Sequence, residues 1–275
     1  MPELLTNMLA YPFIVRAFTA GIFIVLCAAL LGVSLVLKRY SMIGDGLSHV
    51  GFGALTVAAA MNLAPLSVAI PAVVLTAFLL LRLGESGKIK GDAATALISA
   101  GSLAAGVMIL SFSKKINNLD MMGYMFGSIL TTNRGDVNLS VILCGFVLFL
   151  YIIFYSKIFA VTFDESFARA TGTNAGFYNA LLAVLTALTV VLGMRLMGAL
   201  LISALIIFPP VTAMKLFKSF RGVVAGSALL GAVCFVLGIV ISFVWETPAG
   251  ASVVSVNAAA FALVSGVKWL RGLRK

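Results

Sequence analysis

Nine apolar runs follow one another along the chain, near 12–37, 44–63, 65–82, 93–112, 138–156, 177–196, 198–216, 222–244 and 250–269. A run of about twenty apolar residues is long enough, as a helix, to cross a hydrocarbon core of roughly 30 Å. The polar stretches between the runs, the longest being 84–92, 113–120, 131–137 and 157–176, are too short to hold a soluble domain. Residues 1–275 therefore read as a single transmembrane domain, an all-α polytopic membrane protein of eight or nine transmembrane helices. The count depends on whether 177–216 holds two spans or one span and a broken helix. Met121 to Leu130 is apolar but only about half the spanning length, which suits a short re-entrant or interfacial helix.

Composition agrees with this pattern. Hydrophobic residues make up 62% of the chain and charged residues 10%, with a mean hydropathy of +1.15. A soluble domain carries about a quarter charged residues. The net charge of +10 would suggest a polyanion partner in a soluble protein. Here the cations sit in short loops, where Lys and Arg set orientation, and nucleic acid is not expected as a partner. With the N-terminus outside, fourteen Lys and Arg fall on inner loops and five (Arg16, Lys114, Lys115, Arg134, Arg195) on outer ones. That places the C-terminus in the cytosol. The Lys114-Lys115 pair runs against the assignment. Glu3 precedes the first cation and no basic n-region is present, so the first run is expected to act as an uncleaved anchor. Cys27, Cys144 and Cys234 each lie inside an apolar run and are expected to be packing residues.

The chemistry is sparse. Gly84-Glu85-Ser86-Gly87-Lys88 resembles a phosphate loop only superficially: two residues, not four, separate the glycines, and Ile89 follows the lysine. The chain is not expected to hydrolyse ATP, and no catalytic residues or resident cofactor are expected. Asp45 and His49, the chain's only histidine, stand four residues apart at the mouth of a span. At that spacing a carboxylate and an imidazole share one helix face. Ionisable groups at membrane depth are costly and mark ion paths or proton relays; a carboxylate oxygen and an imidazole nitrogen are also half of a transition-metal coordination shell. The alternative is an interfacial carboxylate and a histidine bonded to a neighbouring helix. Gly44, Gly46, Gly51 and Gly53 surround the pair and permit close backbone approach.

Phe163 to Gly172 carries helix signals. Asp164 suits the N-cap, Glu165 the positive end and Gly172 the stop. Phe163, Phe167 and Ala170 recur at helical spacing, as in either a plain connecting helix or a docking helix. Arg195 at a span end suits headgroup contact. Pro209-Pro210 is expected to break the helical ladder and kink its span. GxxxG spacings occur at Gly123–Gly127, Gly172–Gly176 and Gly222–Gly226; the last lies in a clear span and suggests close helix packing.

Four stretches in order resemble the membrane subunit of ABC importers for divalent transition metals, the zinc/manganese/iron permease family. Lys38-Arg39 followed by Ser41-Met42-Ile43-Gly44-Asp45-Gly46-Leu47-Ser48-His49 is similar to that family's basic pair and S-x-I-G-D-x-x-S-H run. Asp120 to Leu130 resembles its D-x-x-x-Y-x-F-G-x-I-L helix. Asp164, Ala168 and Gly172 match the D-x-x-x-A-x-x-x-G coupling segment, and Gly198 to Ala213 resembles G-x-L-L-x-x-A-L-L-x-x-P-A-x-T-A. Two departures are Gly46 and Pro210, each where the family commonly has alanine.

The resemblance implies a permease in a bacterial-type cytoplasmic membrane that moves Zn²⁺, Mn²⁺ or Fe²⁺ by alternating access. It implies cytosolic ABC ATPase subunits, a second permease chain (a copy or a paralogue) and an extracytoplasmic metal-binding protein. Asp45 and His49 would then touch the ion, and Asp164, Glu165, Ala168 and Gly172 would belong to a cytosolic coupling helix at 163–172. The rival readings are a proton-coupled secondary metal transporter and an ABC permease for a metal chelate.

Overall fold

The computed structural model describes residues 12–85, 91–112 and 134–272. In chain order its helices are α1 (Pro12–Leu37), α2 (Ile43–Ala60), α3 (Pro65–Glu85), α4 (Gly91–Phe112), α5 (Arg134–Ile153), α6 (Tyr155–Phe163), α7 (Glu165–Ala170), α8 (Ala175–Met197), α9 (Ala199–Leu216), α10 (Phe220–Trp245) and α11 (Ala249–Gly272). Each of the nine apolar runs coincides with one of these helices. The expected short helix at 121–130, the Gly123–Gly127 spacing, the Lys114-Lys115 pair, the segment preceding α1 and most of the phosphate-loop-like segment lie outside the described residues.

Among the described residues, seven helices are long and apolar enough to cross a membrane, or up to eight if α5 and α6 form one bent span. Helices α8 and α9 each qualify alone, although only Gly198 separates them. Helix α2 is not among the seven, because Asp45, Ser48, His49 and its glycines dilute its hydropathy. A 69° bend separates α5 from α6, so the polar connection expected at 157–176 begins instead with a further helix. No Gly or Pro interrupts Tyr155–Phe163, and Ile158, Val161 and Thr162 are buried at near-helical spacing.

Burial orders the bundle. Helices α1 and α8 hide 67% and 72% of their apolar windows, whereas α3, α4 and α11 hide only 22%, 17% and 22% and form the outer wall. Helix α2 packs on α3, α4, α8 and α9, so the helix that carries Asp45 and His49 is held inside the bundle by neighbours on several sides. Leu47, Phe52 and Leu55 of α2 join Ile24 and Leu31 of α1 and Leu192 and Leu205 of α8 and α9 in one core.

Two expectations about helix packing change. Helix α9 runs unbroken through Pro209 and Pro210, both buried. Proline at 210 removes the donor that would reach the Ile206 carbonyl. That carbonyl faces α1 at Gly32, where an added Cβ would lie 2.2 Å from the oxygen and 2.9 Å from Pro210 Cγ. The missing side chain lets the α1 backbone close over the proline step, which otherwise would need a wider gap. Gly222 and Gly226 do not bring a second helix close; their open faces meet Phe217, whose Cε2 would be 2.3 Å from a Cβ at 226. The close helix contact of α10 is at Gly238, 2.5 Å by the same measure from Val253 Cα of α11.

Gly32→Ala should destabilise the chain by about 1–3 kcal/mol, the usual cost of overpacking. Gly145→Ala, with nothing within 4 Å, is the control and should leave the unfolding midpoint near the native value. Equal midpoints for the two variants would show that α1 moves away from Ile206 at no cost.

Cys27, Cys144 and Cys234 are buried and unpaired by disulfide, and the Cys27 thiol donates to the Cys144 carbonyl at 3.4 Å.

Candidate ion-binding pair and coupling segment

The chain leaves α1 through Lys38 and turns at Arg39, whose φ of 62° lies in the left-handed region. The Ile43 amide then donates to the Tyr40 carbonyl at 3.1 Å, and α2 begins. Asp45 falls in the first turn of α2, where free amides and the helix dipole favour a negative charge. One turn on, His49 Nε2 stands 3.7 Å from Asp45 Oδ2. The second carboxylate oxygen accepts from Ser203 Oγ of α9 at 3.3 Å, and Ser203 also donates to the Ala199 carbonyl at 3.0 Å. Ser48, between the pair, turns its hydroxyl to the Asp45 carbonyl at 2.7 Å and leaves the face to the carboxylate and imidazole.

The Asp45 and His49 side chains keep 40% and 21% of their surface accessible, so both donors can be reached. Two donors bound at about 2.1 Å to one first-row ion lie roughly 3.4 Å apart at a tetrahedral angle. The observed separation is close to that span. No cluster of three or more His, Cys, Asp or Glu side chains exists among the described residues. Among the described residues this site thus has two His, Asp or Glu donors, Asp45 and His49.

Glycine fits α2 between its neighbours. At Gly53 a Cβ would stand 2.9 Å from the Ser102 carbonyl oxygen of α4, and at Gly46, beside Asp45, 2.4 Å from Thr95 Cγ2 of the same helix. Glycine at 46 therefore has a local reason: Thr95 occupies the place a methyl would take. A β-branched side chain in a helix has little rotamer freedom with which to yield. Gly46→Ala should lower the thermal midpoint by the equivalent of about 1–3 kcal/mol. Adding Thr95→Ser should restore most of the loss; a double variant no better than the single one would place the strain elsewhere.

The second group of residues surrounds α7. Asp164 caps it as expected, its Oδ1 accepting from the Phe167 amide at 2.9 Å. Gly172 ends it with φ +80°, and the Thr173 amide returns to the Ala168 carbonyl at 2.9 Å. Ala168 is fully buried beside Val161 and Ala175, which seats α7 between α6 and α8. Phe163 and Phe167 both remain 64% exposed.

Glu165 is the tether. Its Oε2 accepts from Asn179 Nδ2 of α8 at 3.1 Å and lies 3.5 Å from the Lys38 ammonium. Its Oε1 accepts from Arg169 at 2.6 Å. Lys38 also donates to Asn179 Oδ1, which closes a triangle between α7, α8 and the end of α1. Burial pushes the Glu165 carboxyl up, but the Asn179 and Arg169 donors and the Lys38 charge outweigh it and hold the group below the usual carboxylate range.

The profile of the ABC 3 transport family matches residues 10–268. The chain belongs to the ABC 3 transport family. Its membership and its several apolar helices make it a multi-pass membrane protein of a transport family. It is 26% identical over 257 residues to the manganese transport system membrane protein MntC of Halalkalibacterium halodurans, covering 94% of this chain and 88% of that one. It is 28% identical over 250 residues to the high-affinity zinc uptake system membrane protein ZnuB of Haemophilus influenzae, covering 90% and 94%. PsaBC from Streptococcus pneumoniae, solved in complex with Fab, superposes with a TM-score of 0.85 at 28% identity, covering 96% of this chain and 94% of that chain.

The structure brings Asp45 and His49 together, and Asp164, Glu165, Ala168 and Gly172 into one short helix with its two caps. Ser203, Asn179 and the inward role of Lys38 were not singled out from sequence. Ser203 is one of two hydroxyls inside Gly198–Ala213, with Thr212, and Lys38 enters the sequence reading only through topology and the Lys38-Arg39 basic pair. Arg195 is half-buried in the last turn of α8 rather than fully exposed.

Proposed function

We propose that this ABC 3 family member is the membrane-spanning permease subunit of an ATP-driven importer of divalent transition-metal ions, Zn²⁺, Mn²⁺ or Fe²⁺, and that the ion passes Asp45 and His49. The observation that supports this most is the approach of His49 Nε2 to Asp45 Oδ2, 3.7 Å, on a helix enclosed by its neighbours. A carboxylate and an imidazole alone bind such an ion weakly. A second permease chain, related by a twofold axis, would add another Asp45 and His49 and give two oxygens and two nitrogens. Weak binding per chain suits transport, since an ion held too tightly is not released.

In this reading α7 is the coupling helix. Phe163 and Phe167 are its exposed apolar knobs for a groove on a cytosolic ATPase subunit, and Glu165 is its link to the bundle. An extracytoplasmic binding protein delivers the ion. The test is uptake of radiolabelled Zn²⁺ and Mn²⁺ by proteoliposomes that hold the chain with its ATPase and binding protein. Uptake that requires ATP hydrolysis is the expected result. Uptake indifferent to ATP but driven by a proton gradient would overturn it in favour of a secondary transporter, and uptake only of a chelated ion would make the substrate a metal chelate.

A further inference from the structure

A groove of about 670 Å³ lies at the basic end of the bundle, between the last turn of α9, the Phe217–Lys218 link and the last turns of α11. Its walls are apolar, with Phe217, Val264 and Val267 among them, and four cations ring it: Lys215, Lys218, Lys268 and Arg271. No Asp or Glu lines it among the described residues. Two of the cations build the groove. Lys268 donates to the Lys215 carbonyl at 2.8 Å, which ties α11 to the end of α9, and the Lys215 ammonium lies 4.7 Å above the Phe261 ring. The other two, Lys218 and Arg271, are exposed and make no side-chain hydrogen bond or ion pair among the described residues.

Topogenic charge explains that cations gather at this end of the bundle. It does not explain why four of them converge on one apolar cavity. We propose that this groove binds one anionic phospholipid, its phosphodiester held by Lys218 and Arg271 and its acyl chains lying along the α9–α11 wall. The combination is specific to an amphiphile, because a free anion needs no apolar wall and an acyl chain needs no cations. The position also fits. Trp269, 66% exposed and next in sequence to Lys268, is of the type that sits at headgroup level, and Leu263 of the groove wall is 70% exposed. Basic pockets between membrane helices take phospholipid headgroups by this chemistry. The inference requires only that the chain is a membrane protein and does not rest on the transport reading.

The test uses the full chain in a neutral detergent, titrated with phosphatidylglycerol, phosphatidylcholine or inorganic phosphate, with bound lipid counted by native mass spectrometry. Phosphatidylglycerol should be retained in preference to phosphatidylcholine. Lys218→Gln with Arg271→Gln should weaken that retention by roughly 30-fold, since each cation near an anionic lipid contributes on the order of a fivefold gain. Arg82→Gln with Lys157→Gln removes the same charge from two exposed sites outside the groove and should leave retention unchanged. Equal losses in the two double variants would reduce the effect to overall charge and overturn the proposal. So would equal retention of the two lipids, or displacement of phosphatidylglycerol by inorganic phosphate at the same concentration, which would show a plain anion site. Unchanged lipid retention with loss of a co-purifying protein subunit would make the groove a protein-docking surface instead.

Discussion

Changing Asp45 and His49 together to alanine should abolish the proposed ATP-driven metal uptake while the transporter still assembles. The size of the effect follows from coordination. Even groups that merely orient a metal ligand cost about 10- to 100-fold in affinity or activity when removed, so loss of both donors should cost at least on the order of 100-fold. The single variants should each retain some uptake, with Asp45→Glu better than Asp45→Ala, because the longer carboxylate keeps the donor type. Folding should survive. Asp45 and His49 are the least enclosed polar residues of α2, at 40% and 21% side-chain accessibility, and the Leu47, Phe52 and Leu55 contacts on its buried face are untouched. Asp45 also receives the Ser203 hydroxyl, which then turns wholly to the Ala199 carbonyl it already reaches. Native uptake by an assembled double variant would remove the pair from the ion path and leave the permease reading in need of another site.

Cutting the tether between α7 and the bundle should uncouple the transporter rather than dismantle it. In Lys38→Met, Asn179 Oδ1 loses its donor and Glu165 loses its nearest cation from outside its own helix. A lost hydrogen bond to a charged, partly buried group costs about 1–2 kcal/mol here, below the cost for a fully buried pair because Glu165 stays 34% accessible. ATP hydrolysis by the assembled complex should persist, while ions moved per ATP should fall roughly five- to thirtyfold, the factor that such an energy represents. The reversed pair, Lys38→Glu with Glu165→Lys, should recover part of the coupling. A variant in which hydrolysis and uptake fall together would show only a packing role.

The same linkage has a pH signature. Glu165 is held below its ordinary range, so its contribution is fully present above the unfolded carboxylate value and disappears as pH falls through the lowered folded value. Coupling that depends on Glu165 should therefore be flat around neutrality and fail only in acid. Glu165→Gln should show that loss already at neutral pH.

How much of this was legible beforehand differs by element. Each long apolar run became a helix because a bilayer offers the backbone no other partner for its amides and carbonyls. The Asp45–His49 pair was legible for a local reason: four residues is about one turn, and a turn needs no tertiary information to put two side chains on one face. The cap at Asp164 and the stop at Gly172 were legible in the same way. Helix α6 is not foreseen because Lys157 ends the apolar run, although Ile158 to Val161 are apolar again and no residue there breaks a helix. The contact of Gly32 with Ile206 and Pro210 was not legible, because it joins residues up to 178 positions apart.

By itself, then, the sequence determined the membrane class of this protein, its long apolar helices, and a helix face that sets the Asp45 carboxylate beside the His49 imidazole. All of these follow from composition and from periodicities within one turn or one span. Only the tertiary structure decided what each polar side chain meets across helices. It set Ser203 on Asp45, Thr95 in the place of a methyl at 46, and Lys38 on Glu165 and Asn179 instead of in solvent. It also closed Lys215, Lys218, Lys268 and Arg271 around one groove. The helix-to-helix pairings among these join residues from 49 to 158 positions apart, and the lateral packing of helices that selects them leaves no periodic trace along the chain.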